Sequence, residues 1–208
     1  MTDNERAADR ERGVEPSPFV RSLPIGKPLE LPAGGVVGWD AFPLEGELKV
    51  KALAEPVLPE PPRSGEDGPE NCRACQREID DPDVLWADDH WMVCRFAEPE
   101  GLPAAVMLFS RGHYDLADLP AERAAELGPV CQRVERAIKS LGGIARVHIN
   151  RWGDGAAHLH LWFLARPEGM LQLRGTFLPL WAEFLPKVPE DVWARTNRQI
   201  AAALAADS

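Results

Sequence analysis

The stretch "AHLHLWFLA", from Ala157 to Ala165, is the feature that most limits how this chain can fold. In a strand, residues i, i+2 and i+4 share one face. His158, His160 and Trp162 therefore point one way, while Leu159, Leu161 and Phe163 point into a core. The preceding "IARVHIN", Ile144 to Asn150, likewise puts His148 and Asn150 on a common face. Between the two runs "RWGDGA" reads as a hairpin connection, with Asp154-Gly155 supplying the turn. Pairing of these strands gathers imidazoles and a carboxamide on one side of a sheet.

The neighbouring pattern supports an α+β domain. "DVLWADDHWMVCRF" reads as two short strands around an Asp-Asp turn, with Trp86, Met92 and Cys94 at apolar positions. "LPAAVMLFS" is an apolar run of strand length, ended by "RGH". From Leu119 to Leu141 apolar residues (Leu127, Val130, Val134, Ile138, Leu141) recur at spacings of three and four. That spacing predicts a helix, with Pro120 in its first turn, Gly142-Gly143 at its end and Pro129 as a point where it splits or kinks. A terminal helix is expected from about Pro189 to Ala205, and the structure of "MLQLRGTFLPLW" is left open. The expected architecture is an antiparallel sheet with one main helix and a terminal helix.

Residues 1–70 differ from the rest. They hold more than half of the 20 prolines, and the opening dozen residues are mostly charged. They read as a partly disordered, proline-rich arm and linker, in which Trp39, Phe42, Leu48 and Val50 are positions for packing on a core. Residues 71–208 read as the folded domain with a C-terminal extension. The net charge of −10, with no stripe of Lys and Arg, argues against nucleic-acid binding by general electrostatics. The N terminus has no apolar signal region and no run reaches the length of a membrane span, so a cytoplasmic protein without a membrane partner is expected.

Cys72-x-x-Cys75 is then better read as metal ligands or redox thiols than as a structural disulfide. Cys-x-x-Cys with two imidazoles is a natural tetrahedral zinc set, and His113 and His158 flank the two central strands. The His-x-His pair can equally be half-buried and hydrogen-bonded without a further role.

The order of these pieces resembles the histidine-triad (HIT) superfamily, with features of its galactose-1-phosphate uridylyltransferase branch. The resemblance runs over residues 72–166. It covers Cys72-x-x-Cys75, the strand ending in Arg111-Gly112-His113, the "LADL" and helix, the strand bearing Asn150, the Gly-rich turn, and His-x-His before Arg166-Pro167. It implies a HIT-like fold, a homodimer, and a nucleotide or phosphorylated small molecule as ligand. By position, His160 matches the central histidine that attacks the α-phosphorus of a nucleotide and forms a covalent intermediate. Asn150 matches an asparagine of the phosphate region, and Gly153 and Gly155 would let backbone N–H groups approach developing charge. Cys72, Cys75, His113 and His158 match the ligands of a structural zinc.

Three positions depart from the pattern. Trp162 stands at the third histidine, with one N–H donor and no acid function near neutral pH. Gly155 stands five before His160, where many members have serine. Phe96 falls where an acid commonly binds ribose, with Glu98 a substitute nearby. Trp86, Phe96 and Trp162 are candidates to line an aromatic pocket. The resemblance implies a nucleotidyl hydrolase or transferase working through His160. The departures favour an alternative, a weakened HIT-like nucleotide or small-ligand binder with a structural zinc. A third reading is a zinc-stapled scaffold that engages a partner through its arm.

Overall fold

The computed structural model describes residues 20, 21, 23–29, 39–44, 46 and 50–206. Leu48 and the opening charged residues lie outside these. The chain divides into two units, Met1–Trp39 with Leu44–Pro62, and Asp40–Pro43 with Arg63–Ser208. In the first, a turn closes from Lys27 N–H to the Pro24 carbonyl, and Gly26 N–H donates to the Leu53 carbonyl at 2.9 Å.

The second unit is built on five antiparallel strands: β1 (Val84–Ala87), β2 (Trp91–Arg95), β3 (Ala105–Ser110), β4 (Ile144–Asn150) and β5 (His160–Pro167). They lie in the order β1-β2-β3-β5-β4. Helix α1 (Ala121–Lys139) links β3 to β4, and α2 (Leu178–Phe184) and α3 (Glu190–Ala206) follow the sheet. This is the expected α+β class. Pro129 sits inside α1 without ending it. The helix stops at Ser140, where Gly142 and Gly143 adopt φ of 75° and 67°, a region that costs a side-chain-bearing residue but not glycine. "MLQLRGTFLPLW" resolves into a 3-10 turn and α2. No helix among the described residues is long and apolar enough to cross a membrane.

Register fixes two faces. Val93 pairs with Leu108, Leu108 with Leu161, and Val106 with Phe163. This face meets Val134 and Ile138 of α1 and Ile200 and Leu204 of α3 in one buried cluster. Each side chain so buried contributes about 1.5–3 kcal/mol. The opposite face carries Met92, Cys94, Met107, Phe109, His160, Trp162 and Leu164. Part of that face is covered by the C-terminal extension, through Leu173, Leu178, Trp181 and Leu185 packed with Leu102 and Leu164. Asp40–Pro43 belongs to the same unit: Trp181 Nε1–H donates to the Ala41 carbonyl at 2.7 Å, and Phe42 meets Phe177 edge-on at 5.3 Å.

Two expectations need correction. β4 and β5 do pair, with Asn150 opposite Trp162 and His148 opposite Leu164. Their connection, however, is the wide loop 151–159 rather than a tight turn at Asp154-Gly155. Residue 63–65 backbone holds this loop from outside: Ser64 N–H donates to the Gly155 carbonyl and Ala157 N–H to the Ser64 carbonyl. Trp86 does not join Phe96 and Trp162. Strand alternation turns it toward the helical side, where it borders the main core and the Arg133 guanidinium lies 4.1 Å over its ring.

Candidate functional site

β3 and β5 are neighbours, so residues just past the end of β3 meet residues just before β5. This brings His113 to His158. Cys72 and Cys75 arrive from a turn in which Gln76 N–H donates to the Cys72 carbonyl, placing both thiols on one side. One ligand atom from each of Cys72, Cys75, His113 and His158 lies within 4.8 Å of the others. Cys72 Sγ is 3.4 Å from His158 Nδ1, and Cys75 Sγ is 3.2 Å from His113 Nδ1 and 3.4 Å from His158 Nδ1. Zinc bonded to sulfur at about 2.3 Å and to nitrogen at about 2.0–2.1 Å places S and N about 3.5 Å apart along a tetrahedral edge. The spacing fits a closed four-ligand metal site.

The far sides of both imidazoles fit as well. His113 Nε2–H donates to the Gly65 carbonyl at 3.0 Å, and His158 Nε2–H to the Ser110 carbonyl at 2.7 Å. Each bond fixes the tautomer that leaves Nδ1 free to ligate. Burial pushes the Cys75 thiol up to about 12, helped by Cys72. Burial also pulls His158 down, against its bond to Ser110. A cation binding there must therefore displace the Cys75 thiol proton but no proton from His158 Nδ1.

Sequence reasoning did not single out Gly65 or Ser110, because each contributes a backbone carbonyl. Gly65 does leave a steric trace. At φ +79°, a Cβ there would come 2.7 Å from Cys72 Cβ and 2.9 Å from His113 Cε1. Gly65→Ala is expected to lower metal affinity about 10–100-fold, the usual effect of disturbing an outer partner of a metal ligand. Competition with a chromogenic chelator checks this, and an unchanged affinity would remove Gly65 from the site.

His160 lies next along β5, only 9% exposed. Its Nδ1–H donates to the His158 carbonyl at 2.9 Å, which leaves Nε2 carrying the lone pair. Phe109 stacks on the ring at 6.0 Å and 29°. Asn150 is half-buried on the adjacent strand, on the same face. His148 shares that face, but its Nε2 is buried without a partner among the described residues, and burial and then Arg166 pull its pKa down.

Trp162 sits between Phe96, 5.0 Å away at 44°, and Trp152, 5.4 Å away at 68°. Its indole N–H is buried with no acceptor among the described residues. The three rings border a cleft of about 190 Å³ that Leu164, Glu100 and Glu183 also line. The acids that line this cleft with Phe96 are Glu100 and Glu183, while Glu98 is exposed and does not line it. A larger cleft, about 480 Å³, lies at the start of α1. Neither His160 nor the Cys/His set lines it; Arg111 donates to the Asp88 carbonyl and Arg123 Nη2 pairs with Glu126, while Arg123 Nη1 is buried without a partner among the described residues. The histidine face therefore carries the candidate chemistry.

Gly153 and Gly155 lie in the loop before His158. Arg63 Nη1–H donates to the Gly153 carbonyl at 3.1 Å and to Asp115 at 3.0 Å, and Arg151 pairs with the other Asp115 oxygen. A Cβ on Gly153 would lie 3.0 Å from the Arg151 guanidinium. Asp115 thus organises two cations beside the loop, a role its place in "HYDLADL" gave no sign of. Burial raises its carboxyl, but the Leu116 N–H, Arg151 and Arg63 outweigh this and hold it below the usual range. Its stabilisation is complete above the unfolded pKa and disappears as pH falls through the lower folded value. Asp115→Asn is expected to cost about 1 kcal/mol at neutral pH, a deficit that shrinks below about pH 4. Urea unfolding at the two pH values checks it; a deficit that persists in acid would mean the charge is not its source.

No protein-family model matches the chain, and no curated protein does. Solved structures do. A zinc-bound histidine triad family protein from Mycobacterium smegmatis is 23% identical over 67% of this chain and 96% of its own, with a TM-score of 0.48. A hypothetical histidine triad nucleotide-binding protein from Sulfolobus tokodaii is 16% identical over 65% and 93%, also at 0.48. A uridylyltransferase is 22% identical over 65% of this chain and 45% of its own, at 0.45. Histidine-triad proteins and uridylyltransferases are thus among the solved structures to which this chain is similar.

Proposed function

We propose that this chain is a HIT-like nucleotidyl hydrolase or transferase in which His160 is the nucleophile. The observation that carries the reading is the His160 tautomer. With Nδ1–H bound to the His158 carbonyl, Nε2 is the nitrogen with a free electron pair, held by Phe109 on the face that also bears Asn150 and Trp162. Nε2 forms a bond to the α-phosphorus as the bond to the leaving group breaks and that group departs with the electron pair. Water, or an acceptor hydroxyl or phosphate, then attacks phosphorus, breaks the N–P bond and frees His160. Its own proton passes to solvent.

Trp162 changes the terms of the first step. Indole cannot protonate a leaving group, so the reaction is favoured for groups that depart as stable anions or draw their proton from water. Its buried N–H without an acceptor is a donor for a phosphoryl oxygen, an explanation for an otherwise unsatisfied buried group. Cys72, Cys75, His113 and His158 would hold zinc. Held there, the ion would cross-link the 72–75 turn to the ends of β3 and β5, and four protein ligands would leave no open position for Lewis-acid chemistry.

The test is a quench in base, where phosphoramidates survive, after mixing the protein with mononucleotide esters, dinucleoside polyphosphates or nucleotide sugars. A nucleotidyl adduct on His160 is expected. The second reading, a binder without turnover, is favoured by the loss of the third histidine. Tight nucleotide binding with identical turnover in wild type and His160→Ala would establish it instead.

A further inference from the structure

The cleft lined by Trp162, two residues along β5 from His160, has a composition of its own. Phe96, Trp152 and Trp162 supply aromatic rings, Glu100 and Glu183 supply carboxylates, and none of its lining residues is Lys, Arg or His. The rings are inclined to one another, at 44° and 68° about Trp162. A planar base stacks best between near-parallel walls, which these rings do not form. Negative ring faces and two carboxylates together attract positive charge. The cleft is also electrostatically uncomfortable for acids alone. Burial pushes the half-buried Glu100 carboxyl up, the Glu183 carboxylate adds to this, and the exposed Lys187 opposes it only in part.

We propose that this cleft binds a small organic ammonium group, seated on the faces of Trp162, Trp152 and Phe96 and neutralised by Glu100 and Glu183. Trp162 makes the site possible. A histidine at that position would bring a protonatable imidazole to the place where a cation sits, and indole brings a π face instead. Trp162 follows His160 by two residues on the same sheet face, so the ammonium group would be a substituent of the phosphorus compound that His160 attacks. That last link rests on the function proposed above; the preference of the cleft does not.

Calorimetric titration of the full chain with choline and with its neutral isostere 3,3-dimethyl-1-butanol tests the cleft. Choline is expected to bind about tenfold or more tightly than the isostere. Glu100→Gln and Trp162→Leu should each weaken choline about tenfold, and His160→Ala should leave its affinity unchanged. Glu100→Gln serves as the milder variant if Trp162→Leu fails to fold. Equal affinity for the isostere would overturn the proposal and make the cleft an ordinary apolar groove. Adenosine binding without choline binding would make it a base pocket, and choline affinity indifferent to both cleft variants would place the cation elsewhere. Either result overturns the proposal, as does no choline binding at tens of millimolar. Choline binding as expected, with no adduct on His160, would refute the nucleotidyl reading and leave the ammonium site standing.

Discussion

Metal analysis of the purified protein is expected to give about one zinc per chain, and Cys72→Ser should abolish it and lower the Tm by about 10 °C or more. The size follows from what the set joins. Cys72 is fully buried and His158 is 2% exposed, and the four ligands come from the 72–75 turn, the end of β3 and the start of β5. Losing the ion frees three segments far apart in sequence and leaves two imidazoles and a thiol packed without their partner. A domain this size loses roughly 2–4 °C per kcal/mol, so a deficit of several kcal/mol gives the shift stated. The same metal should be released in acid. Because burial holds the metal-free Cys75 thiol protonated, binding displaces at least that proton, and affinity should drop about tenfold per pH unit on lowering the pH. A chelator should reproduce the Tm loss in the wild type. Metal-free protein with the same Tm as untreated protein would refute the site.

His160→Ala is expected to eliminate the base-stable adduct and to reduce turnover about 10³-fold or more, with the Tm and zinc content nearly unchanged. The separation of the two readouts is the point of the experiment. Among the described residues His160 donates to the His158 carbonyl and contributes no atom to the Cys/His set, so its removal should not disturb the metal. His158→Ala, two residues away, should do the reverse first: metal and stability go, and activity falls as a consequence. If His160→Ala and wild type turn over alike, the nucleophile is elsewhere and the binding reading replaces the enzymatic one.

Much of this was legible along the chain. The alternation in "AHLHLWFLA" is enough to separate His160 and Trp162 from Leu161 and Phe163, because a strand's period of two admits no other assignment. The apolar spacing from Leu127 to Leu141 marks α1, and Pro120 and Gly142-Gly143 sit close to its ends. Donor chemistry marks Cys72, Cys75, His113 and His158 as candidates before any distance is known.

Tertiary structure decided the rest. Periodicity says which face a side chain takes but not what covers that face, so it could not separate Trp86, stacked under Arg133, from Phe96 and Trp162. Nor could it bring Trp152 out of a Gly-rich loop and onto Trp162, or set Glu100 rather than Glu98 in the cleft. The Gly65 and Ser110 carbonyls that orient the metal ligands carry no side-chain signature at all. The sequence by itself determined the strand faces and the chemical identity of the donors, since both are properties of residue type and local period. Only the folded chain decided which donors share a centre and what surrounds His160, because those depend on contacts between segments far apart in sequence.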